Sequence, residues 1–191
     1  RSRDMSMPEE VNRLVTDQLS AMLLTPVAEA GKNLIAEGVA PERIHFVGNI
    51  MAESVLRNVE RIVDRDVCGA HGMEPGSYVL ATVHRPENTN HPERLSQIVA
   101  AFAASPLPVL FPVHPRTRPS LAEHGLTGES QGVRLVDPVG YLDMLALERD
   151  AAAIVTDSGG VQEEACMLHT PCVTVRRNTE RGVTIEVGAN R

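Results

Sequence analysis

Tryptophan is absent from this chain, and tyrosine and phenylalanine number only two and three. A core without large rings has to be aliphatic, built from Ala, Val, Leu and Ile. Cysteine is as sparse: Cys68, Cys166 and Cys172 form an odd set with no CxxC spacing. That argues against a disulfide framework and a thiolate metal site, and it fits buried thiols in a reducing cytosol. Excess positive charge is missing too. Eighteen Lys and Arg face 25 Asp and Glu, a net charge of −7. A general nucleic-acid or membrane-surface binder needs a basic face, so neither is expected, although a local basic pocket for one small anion remains open. No apolar run reaches membrane-spanning length, no leader pattern opens the sequence, and no repeat or low-complexity tract interrupts it. A cytoplasmic location is the expectation.

What is present looks like ordinary globular material, with 42% apolar and 23% charged residues over 191 positions. That length suits one large domain, or one domain plus a piece of another. Pro8-Glu9-Glu10 marks a helix start, because acids in the first turn complement the helix dipole. A short strand over 23–26, closed by its proline, follows, then a helix over 27–37 stopped by Gly38, then a strand over 44–49 that leads into a turn. Another helix is expected over 51–63. From there apolar strands over 78–83, 109–113, 133–136, 152–156 and 172–175 alternate with helices over 92–104, 141–148 and 160–168. A further short helix follows the strand that ends at Val113.

Short apolar strands between amphipathic helices predict a doubly wound, Rossmann-like α/β layer with a parallel sheet covered on both faces. The α/β rhythm restarts near residues 50 to 60, which suggests a domain boundary there. Both ends read as cut: Arg1 is not a start methionine, and no obvious closing helix precedes Arg191.

In such sheets ligands collect beyond the carboxyl ends of the strands. His84-Arg85 follows one strand, His114 and Arg116 the next, Ser158-Gly159-Gly160 a later one, and Arg176, Arg177 and Arg181 the last. The stretch Thr156 to Glu164 runs strand, glycine turn, helix. Its glycines let a phosphate approach the backbone, the helix start offers free N–H donors, and Ser158 adds a hydroxyl. Glu164, one turn beyond Gly160, could accept from both hydroxyls of a ribose. Diphosphate at the turn and ribose at the acid describe a nucleotide. The alternative, a tight turn with solvated acids, loses ground once the neighbouring motifs are counted. Arg181 could form a bidentate contact with a diphosphate, against the bland reading of a surface arginine. His84 could donate to a phosphate or relay a proton, or be a structural histidine; spacing does not choose. Glu9 and Glu10 read first as acids at a helix N-terminus. His45, His71, His91, His124 and His169 show no metal spacing, and no metal is expected.

Taken in order, Met7-Pro8-Glu9-Glu10-Val11-Asn12-Arg13, His84-Arg85-Pro86-Glu87-Asn88, Pro112-Val113-His114-Pro115, Thr156 through Ala165 and Thr179-Glu180-Arg181 resemble the nonhydrolysing UDP-N-acetylglucosamine 2-epimerases. The resemblance covers nearly the whole chain, and it rests on the motifs jointly. It implies the carboxy-terminal half of a GT-B-like two-domain enzyme: residues 1–50 as the end of the amino-terminal Rossmann-like domain, and 51–191 as the UDP-binding Rossmann-like domain without its last helix. It implies diphosphate held by Ser158, Gly159, Gly160 and Arg181, ribose by Glu164, and uracil by the loop at Pro138 and Val139. Met144 stands near the base where the family often has phenylalanine, and Gly182 stands where it usually has proline. Catalytic roles fall to His84, which assists departure of UDP, and to Glu9. Arg85 and His114 match positions that touch a second, regulatory substrate molecule in some bacterial members.

The implied chemistry is inversion at C2 of UDP-N-acetylglucosamine by elimination and re-addition of UDP through a 2-acetamidoglucal, with no cofactor. A homodimer is implied for the full-length protein. Arg1 resembles the last residue of the family's Val-Glu-Ala-Gly-Leu-Arg segment, which places a further catalytic glutamate before it. The family's first nucleotide-binding half is absent from these residues, so the isolated chain is expected to bind UDP weakly without turnover. Rival readings are a hydrolysing 2-epimerase, a GT-B glycosyltransferase, and an inactive nucleotide-binding module.

Overall fold

The computed structural model describes residues 5, 7–123, 125, 129–130 and 132–191, with only the backbone at 129–130. Arg1 and His124, named above, lie outside the described residues. The chain opens with helix α1 (Pro8–Leu19), which has proline at its start and Glu9 and Glu10 in its first turn. Strand β1 (Leu23–Thr25), helix α2 (Ala28–Ala36) and strand β2 (Ile44–Phe46) then form a small parallel βαβ unit. Its core is Leu23, Leu34 and Val39, with Ile44 packed alongside. Gly38 ends α2 at φ +84°, a conformation that glycine enters without a Cβ penalty. Strand β2 stops at Phe46 rather than running to Asn49, because Gly48 turns the chain at φ +85° and Asn49 already caps the next helix.

That helix, α3 (Ile50–Ile62), leads through the single turn α4 (Val67–Ala70) to the main sheet. The sheet holds β3 (Val79–Thr82), β4 (Val109–Pro112), β5 (Glu129–Ser130), β6 (Val133–Val136), β7 (Ala153–Thr156) and β8 (Cys172–Thr174). Their spatial order is β5-β6-β4-β3-β7-β8, and every pairing is parallel except the antiparallel β5–β6 edge. Without β5, and counted in chain order, the parallel strands run 3-2-1-4-5, the Rossmann order. Residues 189–191 extend this series, since Asn190 bridges Cys172 in parallel and Arg191 exchanges hydrogen bonds with β8.

Alternation along the strands divides the core. On one face Leu80, Leu110 and Ile154 meet Leu147 of α8 (Tyr141–Asp150) and Val161 and Ala165 of α9 (Gly159–Leu168). On the other, Ala81, Val109 and Phe111 meet Leu95 and Phe102 of α6 (Pro92–Ala103) and Leu121 of α7 (Thr117–Glu123). Helix α3 adds an outer layer, packing Val55 and Ile62 on Leu145 and Ala146 of α8. The doubly wound α/β layer is therefore present, and its core is aliphatic, Tyr78, Phe102 and Phe111 being the buried rings. Cys68 and Cys172 are buried thiols, whereas Cys166 is half-exposed.

Three short helices were not anticipated: α4, α5 (Pro86–Thr89) and α10 (Gly182–Glu186). Each is five residues or fewer, too brief for a 3.6-residue period to show. The two-residue strand β5 escaped notice for the same reason. Among the described residues no helix is long and apolar enough to cross a membrane.

Candidate functional site

Neighbouring strands β3 and β7 send their following helices to opposite sides of the sheet, so a crevice opens past their carboxyl ends. The two strand ends are stitched together: Thr82 Oγ1 lies 2.6 Å from Thr156 Oγ1, which also accepts from the Ser158 amide at 2.9 Å. At the floor of the crevice is Asp157, fully buried. Its carboxylate accepts from the His84 amide at 3.0 Å, the Arg85 amide at 2.9 Å and Asn88 Nδ2 at 2.7 Å, and His84 Nδ1 lies 3.0 Å away. Burial by itself would push this acid up, but the bonds from His84, Arg85 and Asn88 outweigh it and hold Asp157 below the usual carboxylate range.

A charged acid facing Nδ1 fixes the proton on that nitrogen and leaves Nε2 of His84 for whatever enters the crevice. Asn88 also donates to the Val175 carbonyl at 3.0 Å, which ties the end of β8 to the same hub. The His114 ring sits 5.5 Å from the His84 ring, centroid to centroid, so the two histidine loops do adjoin.

Ser158 caps α9, its Oγ accepting from the Val161 amide at 3.5 Å. Neither Gly159 nor Gly160 needs positive φ. The space over Gly159 is what matters: a Cβ there would come within 3.4 Å of Arg181 Nε. The Arg181 guanidinium thus lies over the first turn of α9. It is held from behind, because Arg181 Nε pairs with Glu163 Oε2 at 3.3 Å and Glu163 accepts from Asn49 Nδ2 at 2.9 Å. The loop carrying Arg181 is anchored by the fully buried Gln162, which accepts from Thr179 Oγ1 at 2.7 Å and Asn190 Nδ2 at 3.1 Å.

Glu164 points elsewhere. It is 6% exposed, beside Glu148 of α8, which is fully buried. Burial raises the Glu164 carboxyl, opposed by the neighbouring Tyr141 hydroxyl and Glu148 carboxyl. Glu148 is raised well above the ordinary value, first by burial and then by the charge of Glu164. Val139 and Met144, on the loop before α8 and in its first turn, pack against the core cluster that includes Val161; Pro138 is exposed on the same loop.

The remaining candidates lie on the other flank of His84. Arg85 Nη1 is 4.0 Å from Glu9 Oε1, so the first helix reaches the rim despite its distance in sequence. Arg176 is almost entirely buried, 3.2 Å from Glu180 Oε2 and 3.9 Å from Glu87 Oε1. Burial would raise Glu180, yet its backbone hydrogen bond and the charges of Arg176, Arg181 and Arg85 keep it below the usual range.

A cleft of about 880 Å³ is bounded by Arg13, Leu24 and Asn33 from the first helix and the small βαβ unit and by Glu163, Glu180 and Arg181 from α9 and the loop after β8. The structure therefore gathers His84, Arg85, His114 and Glu9 at one end of the crevice, Ser158, Gly159, Gly160 and Arg181 at its middle, and Glu164, Val139 and Met144 beyond. Asp157, Glu148, Tyr141 and Gln162 were not singled out from the sequence. Only Asp157 carried a signal that could have found it, its place as the first residue after a central strand. Among the described residues no group of three or more His, Cys, Asp or Glu is placed to hold a metal.

Strand order and crevice define a Rossmann-like α/β protein with a polar rim at its switch point. The family model for UDP-N-acetylglucosamine 2-epimerase matches residues 1–191. Among curated relatives, the UDP-N-acetylglucosamine 2-epimerase of Methanococcus maripaludis is 41% identical over all of this chain and 55% of its own length. The UDP-2,3-diacetamido-2,3-dideoxy-D-glucuronate 2-epimerase of Pseudomonas aeruginosa is 42% identical over all of this chain and 53% of its own. The crystal structure of the Methanocaldococcus jannaschii UDP-GlcNAc 2-epimerase, in complex with UDP-GlcNAc and UDP, superposes with a TM-score of 0.90 at 41% identity, covering 100% of this chain and 55% of that one. The chain belongs to the UDP-N-acetylglucosamine 2-epimerase family, with the GT-B-like fold of these structures. It spans about half the length of the curated relatives it matches.

Proposed function

We propose that this chain supplies the UDP-holding half of a 2-epimerase that interconverts UDP-N-acetylglucosamine and UDP-N-acetylmannosamine. Residues 1–50 are then the end of an amino-terminal Rossmann-like domain and 51–191 the carboxy-terminal one, with the cleft between them as the sugar's place. The diphosphate lies on the first turn of α9, where the Gly159 and Gly160 amides open the helix, the Ser158 hydroxyl adds a donor and the Arg181 guanidinium adds charge. Glu164 accepts from the ribose, and the uracil rests on Pro138, Val139 and Met144.

His84, oriented by Asp157, presents Nε2 toward the diphosphate and, as an imidazolium paired with Asp157, donates from Nε2 as the bond from C1 breaks; a leaving group gains most from donors already aimed at it. Removal of the C2 proton needs a carboxylate, and Glu9, held near Arg85, is the candidate within these residues. Arg85 and His114 form the place for a second, regulatory substrate molecule. The working enzyme is a cytoplasmic homodimer that needs no cofactor.

The observation that carries this reading is the convergence of Arg181 on Gly159 at a serine-capped helix start, in a chain that matches the family throughout. Incubating the full-length protein with UDP-N-acetylglucosamine in deuterated water should place deuterium at C2. No label from an active preparation refutes the reaction, and free UDP accumulating with turnover points to the hydrolysing variant.

A second substrate is favoured by one finding. The relative acting on a UDP-2,3-diacetamido uronate is 42% identical, no more distant than the N-acetylglucosamine enzymes. Deuterium incorporation compared between the two sugar nucleotides decides which is preferred.

A further inference from the structure

Glu148 has no part in the reading above, yet it is a wholly buried acid without a donor among the described residues. It ends a run of four buried residues on α8, after Leu145, Ala146 and Leu147, where the helix is covered on all sides, and no surface of it reaches solvent. Both of its carboxyl oxygens are enclosed, and neither receives a hydrogen bond from any described residue. A bare carboxylate cannot persist there, because neither water nor a donor replaces its lost hydration.

The surrounding elements supply no rescue. Tyr78 of β3 spends its hydroxyl on the Leu147 carbonyl at 2.5 Å, and Thr170 donates to the backbone carbonyl of Glu148 at 2.8 Å, not to its side chain. Cys172 of β8 is a neutral thiol, pushed up to about 12 by burial and by Glu148. Arg149, next along α8, turns away to Asp150 at 2.6 Å and to the Ile62 carbonyl at 2.5 Å. What remains is Glu164 of α9, the helix packed beside α8, with the Tyr141 hydroxyl acting on Glu164 as well and Glu163 adding charge.

We propose that Glu148 is a positioning residue: it keeps its proton and donates the O–H to Glu164, so that the pair carries one negative charge and that charge sits on Glu164. The Tyr141 hydroxyl supplies a second donor. Fixed in this way, Glu164 holds one rotamer and keeps acceptor capacity free for the vicinal hydroxyls of the nucleotide's ribose. The ribose clause rests on the functional reading above; the shared proton does not. An apolar residue of similar size would fill the same space with less desolvation, so an acid here makes sense as a donor. Both side chains being drawn upward by burial, with Glu148 the higher, agrees with this division.

The test uses the full chain with Glu148→Gln, which keeps a donor and is permanently neutral, and Glu148→Leu, which has none. Infrared difference spectra without ligand should show a protonated carboxylic acid at neutral pH that Glu148→Gln removes. Titration with UDP and with 2′-deoxy-UDP should give a preference for UDP that Glu148→Gln keeps and Glu148→Leu reduces by about tenfold, the worth of a hydrogen bond to a charged group. A structural filler would leave that ratio alone in both variants, and an unchanged ratio in Glu148→Leu overturns the positioning role. A missing acid band with UDP binding intact overturns the proton sharing alone. No UDP binding by the unsubstituted chain overturns the ribose clause together with the functional reading, whatever the infrared shows. Should Glu148→Leu not fold, the wild-type acid band and the Glu148→Gln ratio still decide.

Discussion

Asp157 and Glu148 are both wholly buried, and both stand beside helix α9, yet their environments are opposite. Asp157 is met by two backbone amides, the Asn88 amide and the His84 ring, and is held low. Glu148 is met by no donor among the described residues and is driven high. Burial is common to both, so burial does not set their charge. The number of donors does. One acid organises the crevice as an anion, and the other braces a neighbouring carboxylate as a neutral group.

The sharpest way to break this contrast is Asp157→Asn. The amide turns an N–H₂ toward groups that themselves donate, and His84 loses the acceptor that sets its tautomer. Unfolding in urea should show a loss of about 3 kcal/mol, the scale for breaking a buried charged network. Turnover by the full-length enzyme should fall by about a hundredfold if His84 acts on the leaving diphosphate. Next in size is the Arg181→Met variant, which removes a charged donor from the first turn of α9. UDP affinity should drop by about 2 kcal/mol, measured by calorimetry. Glu164→Ala should weaken UDP binding much more than Glu163→Ala, since Glu163 only tethers Arg181. Equal effects would contradict the arrangement.

The two acids also predict opposite slopes against pH. Asp157 is depressed, so its contribution is present above the ordinary carboxylate value and is lost as pH falls through its lower folded value. Glu148 is raised, so the folded chain keeps a proton that the unfolded chain releases. Its stability is therefore greatest below the ordinary value of 4.5 and declines as pH climbs toward the raised folded value. Thermal melts from acid to neutral pH should show Glu148→Gln gaining on the wild type as pH rises. The reverse trend would mean that Glu148 is charged. The smallest effect belongs to Ser158→Ala, whose lost helix cap should cost about 1 kcal/mol.

Much of this architecture was legible in the chain because it is periodic. Strands β3, β4, β6, β7 and β8 are short apolar runs, and α3 and α6 carry regular apolar faces, so their existence follows from local pattern. The turns α4, α5 and α10, and the pairing of residues 189–191 with β8, depend on what lies across the sheet. No window along the chain displays that.

The site divides in the same way. Ser158, Gly159, Gly160 and Arg181 announce themselves by standing after strands. Which glutamate meets Arg181 is a matter of helix register, and Glu163 takes that place while Glu164 turns inward. Asp157 lies inside the stretch from Thr156 to Glu164, but its partners are three residues, His84, Arg85 and Asn88, far off in sequence. Glu148 reads as one more acid near the end of a helix, and only packing reveals it as enclosed.

A structure of the chain with UDP bound would test the central claim most directly. The account predicts the diphosphate on the first turn of α9 beneath Arg181, with both ribose hydroxyls on Glu164. UDP seated in the cleft among Arg13, Leu24 and Asn33, with Glu164 untouched, would contradict it.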